Sequence, residues 1–141
     1  MRFKDQIVWI TGASSGIGEG LAHVFHKEGA EIILSARREA ELERVKAQCN
    51  DGPGAVHVGP FDVVDAPARE AASRRAHDIA GKIDVLVNNA GISQRALGKD
   101  TDISVDRRIM EVDYFAPIAL TKLVLPKMIE RKSGQLVVTS S

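Results

Sequence analysis

The chain has 141 residues, 44% of them hydrophobic and 27% charged, with 19 Lys+Arg balancing 19 Asp+Glu. That describes a single soluble domain over residues 1–141, and the balanced charge gives no electrostatic case for nucleic acid or an anionic membrane. One cysteine excludes an internal disulfide framework and a cysteine-rich metal site and suits a reducing, cytoplasmic setting, while no apolar stretch is long enough to span a bilayer.

Short β-branched runs alternate with helical periods along the chain. "QIVWITG" reads as a strand, and from Ile17 the period lengthens, with Ile17, Leu21, Val24 and Phe25 on one helical face. Gly29 ends that helix, and "EIILSA" is a second strand. A helix follows from Glu39 to Gln48, with Leu42, Val45 and Cys49 inward and Glu41, Glu43, Arg44 and Lys46 outward, until "DGPG" breaks it. "AVHVGPFD" holds the third strand. Asp65 then caps a helix that tolerates Pro67 in its first turn, buries Ala68, Ala72, Ala76 and Ile79, and stops at Gly81.

"KIDVLVNNAG" is the fourth strand, and a helical region from Ser104 to Arg131 is expected to kink at Pro117 and Pro126. Tyr114 is read as a packed helical residue. The run from Leu136 to Thr139 in "GQLVVTSS" is expected to be a buried parallel strand. Such alternation predicts an α/β fold of the Rossmann type, a doubly wound parallel sheet of strand order 3-2-1-4-5. Its switch point falls between the first and fourth strands. His23 and His26 are expected on a polar helix face with no accompanying ligand set, so no metal site is predicted; His57 and His77 are isolated. Arg74, Arg75, Arg107 and Arg108 read as solvated helix faces, and Cys49 as core.

Three motifs carry chemistry. "TGASSGIG" leaves the first strand and opens a helix. Gly12 permits a tight turn, Gly16 lets backbone approach a phosphate, and Gly18 allows close helix–sheet packing. Free amides and the helix dipole at that point favour a pyrophosphate, with Ser14 and Ser15 adding hydroxyls. "SARR" ends the second strand, where dinucleotide folds meet the adenine ribose. Arg37 and Arg38 stand there without a carboxylate, which points to the 2′-phosphate of NADP. "NNAG", Asn88 to Gly91, puts two amides at a buried strand end: one can tie strands together while the other faces a ligand. Ala90 and Gly91 keep that surface small.

Taken together, these motifs resemble the short-chain dehydrogenase/reductases, in the branch with a TGxxxGxG turn and NNAG, over Lys4 to Ser141. The resemblance implies an oxidoreductase that moves a hydride between NADP(H), with NAD(H) possible, and a small alcohol or carbonyl substrate. It implies that Gly12, Ser14, Ser15, Gly16, Ile17 and Gly18 hold the pyrophosphate. Arg37, aided by Arg38, selects NADP(H); Asp62 and Val63 meet the adenine; Asn89, Ala90 and Gly91 line the cofactor. Ser141, the second serine of "TSS", matches the serine that positions the substrate carbonyl. Asp113 stands where the family usually has an asparagine that supports a proton relay, keeping acceptors but losing amide donors. The segment "GISQRALGKDTD" is expected to wall the substrate site, with Ser93 and Gln94 near it. The resemblance also places the helix over 104–131 at a homo-oligomer interface. The family's acid is a tyrosine in YxxxK beyond that serine; the only tyrosine here, Tyr114, is followed by Ile118 four residues on. The chain is therefore expected to be the N-terminal part of such an enzyme, truncated after the fifth strand, binding NADPH weakly and turning nothing over. The rival expectation is a non-catalytic dinucleotide-binding or interaction module.

Overall fold

A computed structural model of the chain describes residues 1–93 and 95–140. Strand β1 (Ile7–Thr11) is buried along its whole length, as a nearly uninterrupted apolar run must be when helices cover both faces of a parallel sheet. Beside it lie β2 (Glu31–Ser35) and β4 (Val85–Asn88), and outside these β3 (Val56–Val58) and β5 (Gln135–Val138). The order is β3-β2-β1-β4-β5 with every pairing parallel, the doubly wound arrangement expected from the strand–helix alternation.

The period-2 alternation of strand side chains builds two cores. Val8, Ile10, Ile32 and Leu34 pack with Ala22 of α1 (Gly16–Lys27) and with Leu42 and Val45 of α2 (Glu39–Gln48), and Cys49 closes that layer. Ile7, Trp9, Ile33 and Leu86 pack with Ala72 and Ala76 of α3 (Ala66–Ala80) and with Leu120 and Val124 of α5 (Ala116–Arg131). Asp65 caps α3 by accepting from the Ala68 N–H, and Gly81 ends it in the left-handed region at φ 79°. Burial pushes the Cys49 thiol above its ordinary pKa, with Asp51 and Glu19 adding to the effect, so this cysteine behaves as core.

Several expectations are corrected. The buried stripe of α1 is Gly18, Ala22 and His26, while Ile17 and Val24 are 66% and 60% exposed. The helix approaches the sheet through its smallest residues, which turns the larger ones outward. His26 is buried: its Nε2–H donates to the Gly54 carbonyl at 2.9 Å, and Nδ1 lies 3.5 Å from Asp51 Oδ1. His77 is buried as well, donating from Nδ1 to the Ser73 carbonyl at 2.7 Å, and His57 pairs with Glu31 at 2.7 Å; neither is isolated. Ser73 and His77 take the inner face of α3, and Ile79 is exposed.

Strand β5 pairs with β4 as expected but is exposed along its length, because no described element covers it. The long helical region divides into α4 (Ile103–Met110), a π-helical turn (Glu111–Phe115) and α5. Pro117, the second residue of α5, has no N–H to give the Asp113 carbonyl, and the wider π turn ends two residues before it. Pro126 sits inside α5, which continues past it. Tyr114 is exposed and packs edge-on against Phe115, with ring centroids 5.2 Å apart.

At the amino end of β4, Asp84 accepts the Ile7 N–H at 2.8 Å and pairs with Lys82 at 3.1 Å. Asp84→Ala leaves that strand N–H without its acceptor, far from the carboxyl ends of the strands. Urea unfolding should show a loss of about 1–3 kcal/mol with an unchanged denaturant slope.

Candidate functional site

At the carboxyl ends of the strands lies a cleft of about 950 Å³. From the first turn, Gly12, Ser14, Ser15 and Ile17 line it. Arg37 and Arg38 enter after β2, Asp62 and Val63 after β3, and Asn89, Ala90 and Gly91 after β4. The fold thus brings most of the sequence-predicted residues to one cavity at the topological switch point. Gly16 and Gly18 do not line it. Ser141 and Gln94 lie outside the described residues, whereas Ser93, the other residue expected near the substrate, does line the cleft.

Backbone geometry explains the glycine turn. Gly12 has φ +62° and Gly16 φ +56°, which side chains disfavour. Gly16 has open space where a Cβ would stand, leaving its backbone approachable. A Cβ on Gly18 would overlap the Gly12 carbonyl and Asn89 Nδ2. Gly18 therefore supports the site from behind, through close packing of α1 on the strand ends. Ser15 makes no side-chain capping bond to α1, so no hydroxyl occupies the amides of that helix start.

A hydrogen-bond network ties this turn to β4 and β5. Thr11 Oγ1 donates to the Val87 carbonyl at 3.3 Å and accepts from the N–H groups of Asn89 and Ala90 at 3.0 and 3.1 Å. Asn89 Nδ2 donates to the Gly12 carbonyl at 3.1 Å, and Thr139 Oγ1 donates to Asn89 Oδ1 at 2.9 Å. Asn88 Nδ2 donates to Thr121 Oγ1 on α5 at 3.2 Å. Both asparagines of "NNAG" thus use their amides to join elements. Asp113, on the π turn, accepts the Ile92 N–H at 2.8 Å. An asparagine carbonyl oxygen at that position would accept the same bond.

Sequence reasoning missed Thr11, Thr139, Arg44 and Arg108. Thr11 stood within a quoted motif, but its contacts are long-range. Arg108 lines the cleft rather than only a solvated face. Arg44 does not simply point outward: Nη2 donates to Glu19 Oε1 at 2.9 Å and Nε to Glu41 Oε2 at 2.8 Å. Hydrogen bonding from Arg44 holds both carboxyls below their ordinary range and raises the pKa of the guanidinium itself. Among the described residues no group of three His, Cys, Asp or Glu is placed to hold a metal, and no helix is long and apolar enough to cross a membrane.

Two outcomes follow from this geometry. Gly18→Ala forces the glycine turn away from Asn89, so it should lower Tm and disorder the cleft, read as accelerated hydrogen exchange at Asn89 and Ala90. The Arg44 pairs are solvent-exposed and add only modestly to stability; the depressed carboxyl pKa values mean that this contribution is present where the carboxyls are ionised and is lost as pH falls below about 4.5. The Tm difference between the native chain and Arg44→Leu should therefore be present at pH 7 and shrink as pH is lowered through and below that value.

Comparison with known proteins bears on the same architecture. The human protein named dehydrogenase/reductase SDR family member 7 is 48% identical over 141 residues, covering 97% of this chain and 42% of its own length. The chain thus spans less than half the length of that curated relative. A metagenomic short-chain oxidoreductase solved with NADP superposes with TM-score 0.94 at 28% identity, over 100% of this chain and 64% of its own. A 7α-hydroxysteroid dehydrogenase solved with NADH and 7-oxo glycochenodeoxycholic acid also gives 0.94 at 28% identity, over 99% of this chain and 55% of its own. The short chain dehydrogenase pattern runs through residues 6–141, from the first strand across every wall of the cleft, and the chain belongs to that family.

Proposed function

We propose that this chain forms the dinucleotide-binding part of an NADP(H)-preferring oxidoreductase acting on a small alcohol or carbonyl compound. The observation that carries the reading is the convergence of the glycine turn, Arg37 and Arg38 on one cleft. Among the described residues neither arginine has an ion-pair partner. Two unpaired guanidiniums beside the site of an adenine ribose suit a 2′-phosphate, which they can grip through forked hydrogen bonds. The glycine turn and the uncapped start of α1 suit a pyrophosphate.

When bound, NADPH supplies the hydride. The chain's own residues bind and orient it. Gly12, Ser14, Ser15, Gly16, Ile17 and Gly18 build the phosphate turn, Asp62 and Val63 take the adenine, and Asn89, Ala90 and Gly91 form the wall nearest the reacting ring. Asp113 holds the loop after β4 in place through Ile92. On the family pattern Ser141 positions the substrate carbonyl, and the proton comes from a Tyr-x-x-x-Lys that these 141 residues do not contain. Binding without turnover is the behaviour we assign to this chain alone. The solved relatives with NADP and with NADH support nicotinamide dinucleotides as the ligand class, with NAD(H) as the weaker choice here. Exposed Met110, Tyr114, Phe115 and Ile118 on the helical region support a subunit contact there. A reducing, cytoplasmic setting accords with one buried cysteine.

Fluorescence titration tests this reading. NADPH should bind more tightly than NADH, and Arg37→Asp should weaken NADPH by about tenfold or more while sparing NADH. Equal affinity for the two cofactors removes the NADP preference. Ketone reduction by the chain alone removes the assignment of binding without turnover.

A further inference from the structure

Arg44 makes one contact that its ion pairs do not explain. Besides Glu19 and Glu41, its Nη2 donates to the backbone carbonyl of Ser14 at 2.9 Å, across 30 residues of sequence. Ser14 lies in the glycine turn and lines the cleft, whereas Arg44 sits on α2 and does not line it. The contact therefore grips the turn from behind.

Two carboxylates fix the direction of that grip. Glu19 on α1 takes both terminal nitrogens, at 2.9 and 3.4 Å, and Glu41 one turn back on α2 takes Nε at 2.8 Å. A guanidinium is planar, so engaging one edge and Nε orients the remaining donor. An exposed ion pair alone contributes little. A forked, oriented donor on a backbone carbonyl does something different: it sets a peptide plane. Because the peptide is planar and trans, holding the Ser14 carbonyl toward α2 turns the Ser15 N–H to the opposite side, away from Arg44. The same clamp fixes α2 against the turn, and α2 begins immediately after Arg37 and Arg38.

We propose that Arg44 is a positioning residue for the phosphate turn: by holding the Ser14 carbonyl from α2, it presents the Ser15 amide to the dinucleotide pyrophosphate. This rests on the dinucleotide reading above. It assigns to an arginine outside the cleft a share of cofactor affinity that belongs to the pyrophosphate and not to the adenosine end.

The test compares two probes on the full chain: NADPH, which carries the pyrophosphate, and adenosine 2′-monophosphate, which does not. Arg44→Leu should weaken NADPH about tenfold, as expected for one lost charge-assisted contact, and leave the monophosphate within about twofold. Arg44→Lys keeps the charge but cannot serve Glu19, Glu41 and Ser14 together, so it should recover only part of the NADPH affinity. NADPH affinity unchanged in Arg44→Leu overturns the proposal. So does an equal loss for both probes, which marks general loosening of the fold. Should Arg44→Leu not fold, Arg44→Lys decides: native NADPH affinity overturns the proposal, and a loss confined to NADPH supports it. A native chain that binds neither probe refutes the dinucleotide reading itself, and the Arg44 role falls with it.

Discussion

The cleft depends on one hydroxyl. Where β1 and β4 part, their ladder ends, and the backbone groups beyond it need partners that water in a packed loop cannot readily supply. Thr11, which is 2% exposed, uses its single donor and both acceptor positions there, on Val87, Asn89 and Ala90. A valine would match its shape and pair none of these groups. With that divergence held open, Asn89 can reach the Gly12 carbonyl on one side and accept from Thr139 on the other. Three strand ends are thereby fixed relative to one another before any ligand arrives. This is preorganisation in a concrete sense: the polar groups that would otherwise compete for a ligand are already satisfied by each other.

The glycines of the turn are of two kinds. Gly12 is needed for its backbone angle, and Gly16 for its angle together with the open space beside it. Gly18 is needed because α1 touches the strand ends at that point, leaving no room for a methyl group. The glycine turn is therefore partly a packing motif. That also accounts for the shifted face of α1, since a helix that contacts the sheet through Gly18 and Ala22 must turn Ile17 and Val24 outward.

Fold and site differ in how far the sequence disclosed them. Strand order, helix ends at Gly29 and Gly81, and the Asp65 cap were legible because each rests on local periodicity or on one residue's backbone preference. The burial of His26 was not legible, because a histidine on an amphipathic helix looks solvated until the segment around Asp51 and Gly54 folds back over it. The exposure of β5 was equally hidden: its apolar composition is that of a buried strand, and only the arrangement of neighbouring elements leaves it uncovered. The walls of the cleft could be named from motifs because a parallel sheet delivers every strand end to the same side. The residues that tie those walls in place, Thr139 on the cleft itself and Arg44 behind it, could not, since each acts on a residue dozens of positions away.

Arginine placement shows how charge is divided around the cleft. Arg44 spends its donors on two carboxylates and a carbonyl, so its charge is locally balanced and its geometry is directional. Arg37 and Arg38, a few residues earlier, have no ion-pair partner among the described residues and line the cavity. In a chain of zero net charge, two adjacent arginines stand at one wall of the cavity, which Asp62 also lines, and Arg38 helps to hold the Glu41 carboxyl down. The division follows from helix phase. Arg44 lies on the side of α2 that meets α1, within reach of Glu19, whereas Arg37 and Arg38 precede the helix, where the chain leaves β2 at the cavity rim. The short segment between β2 and α2, Ala36-Arg37-Arg38, itself contains no carboxylate, and the first one follows at Glu39. Paired charge thus ties α2 to the glycine turn, while the two arginines before α2 stand at the cavity rim.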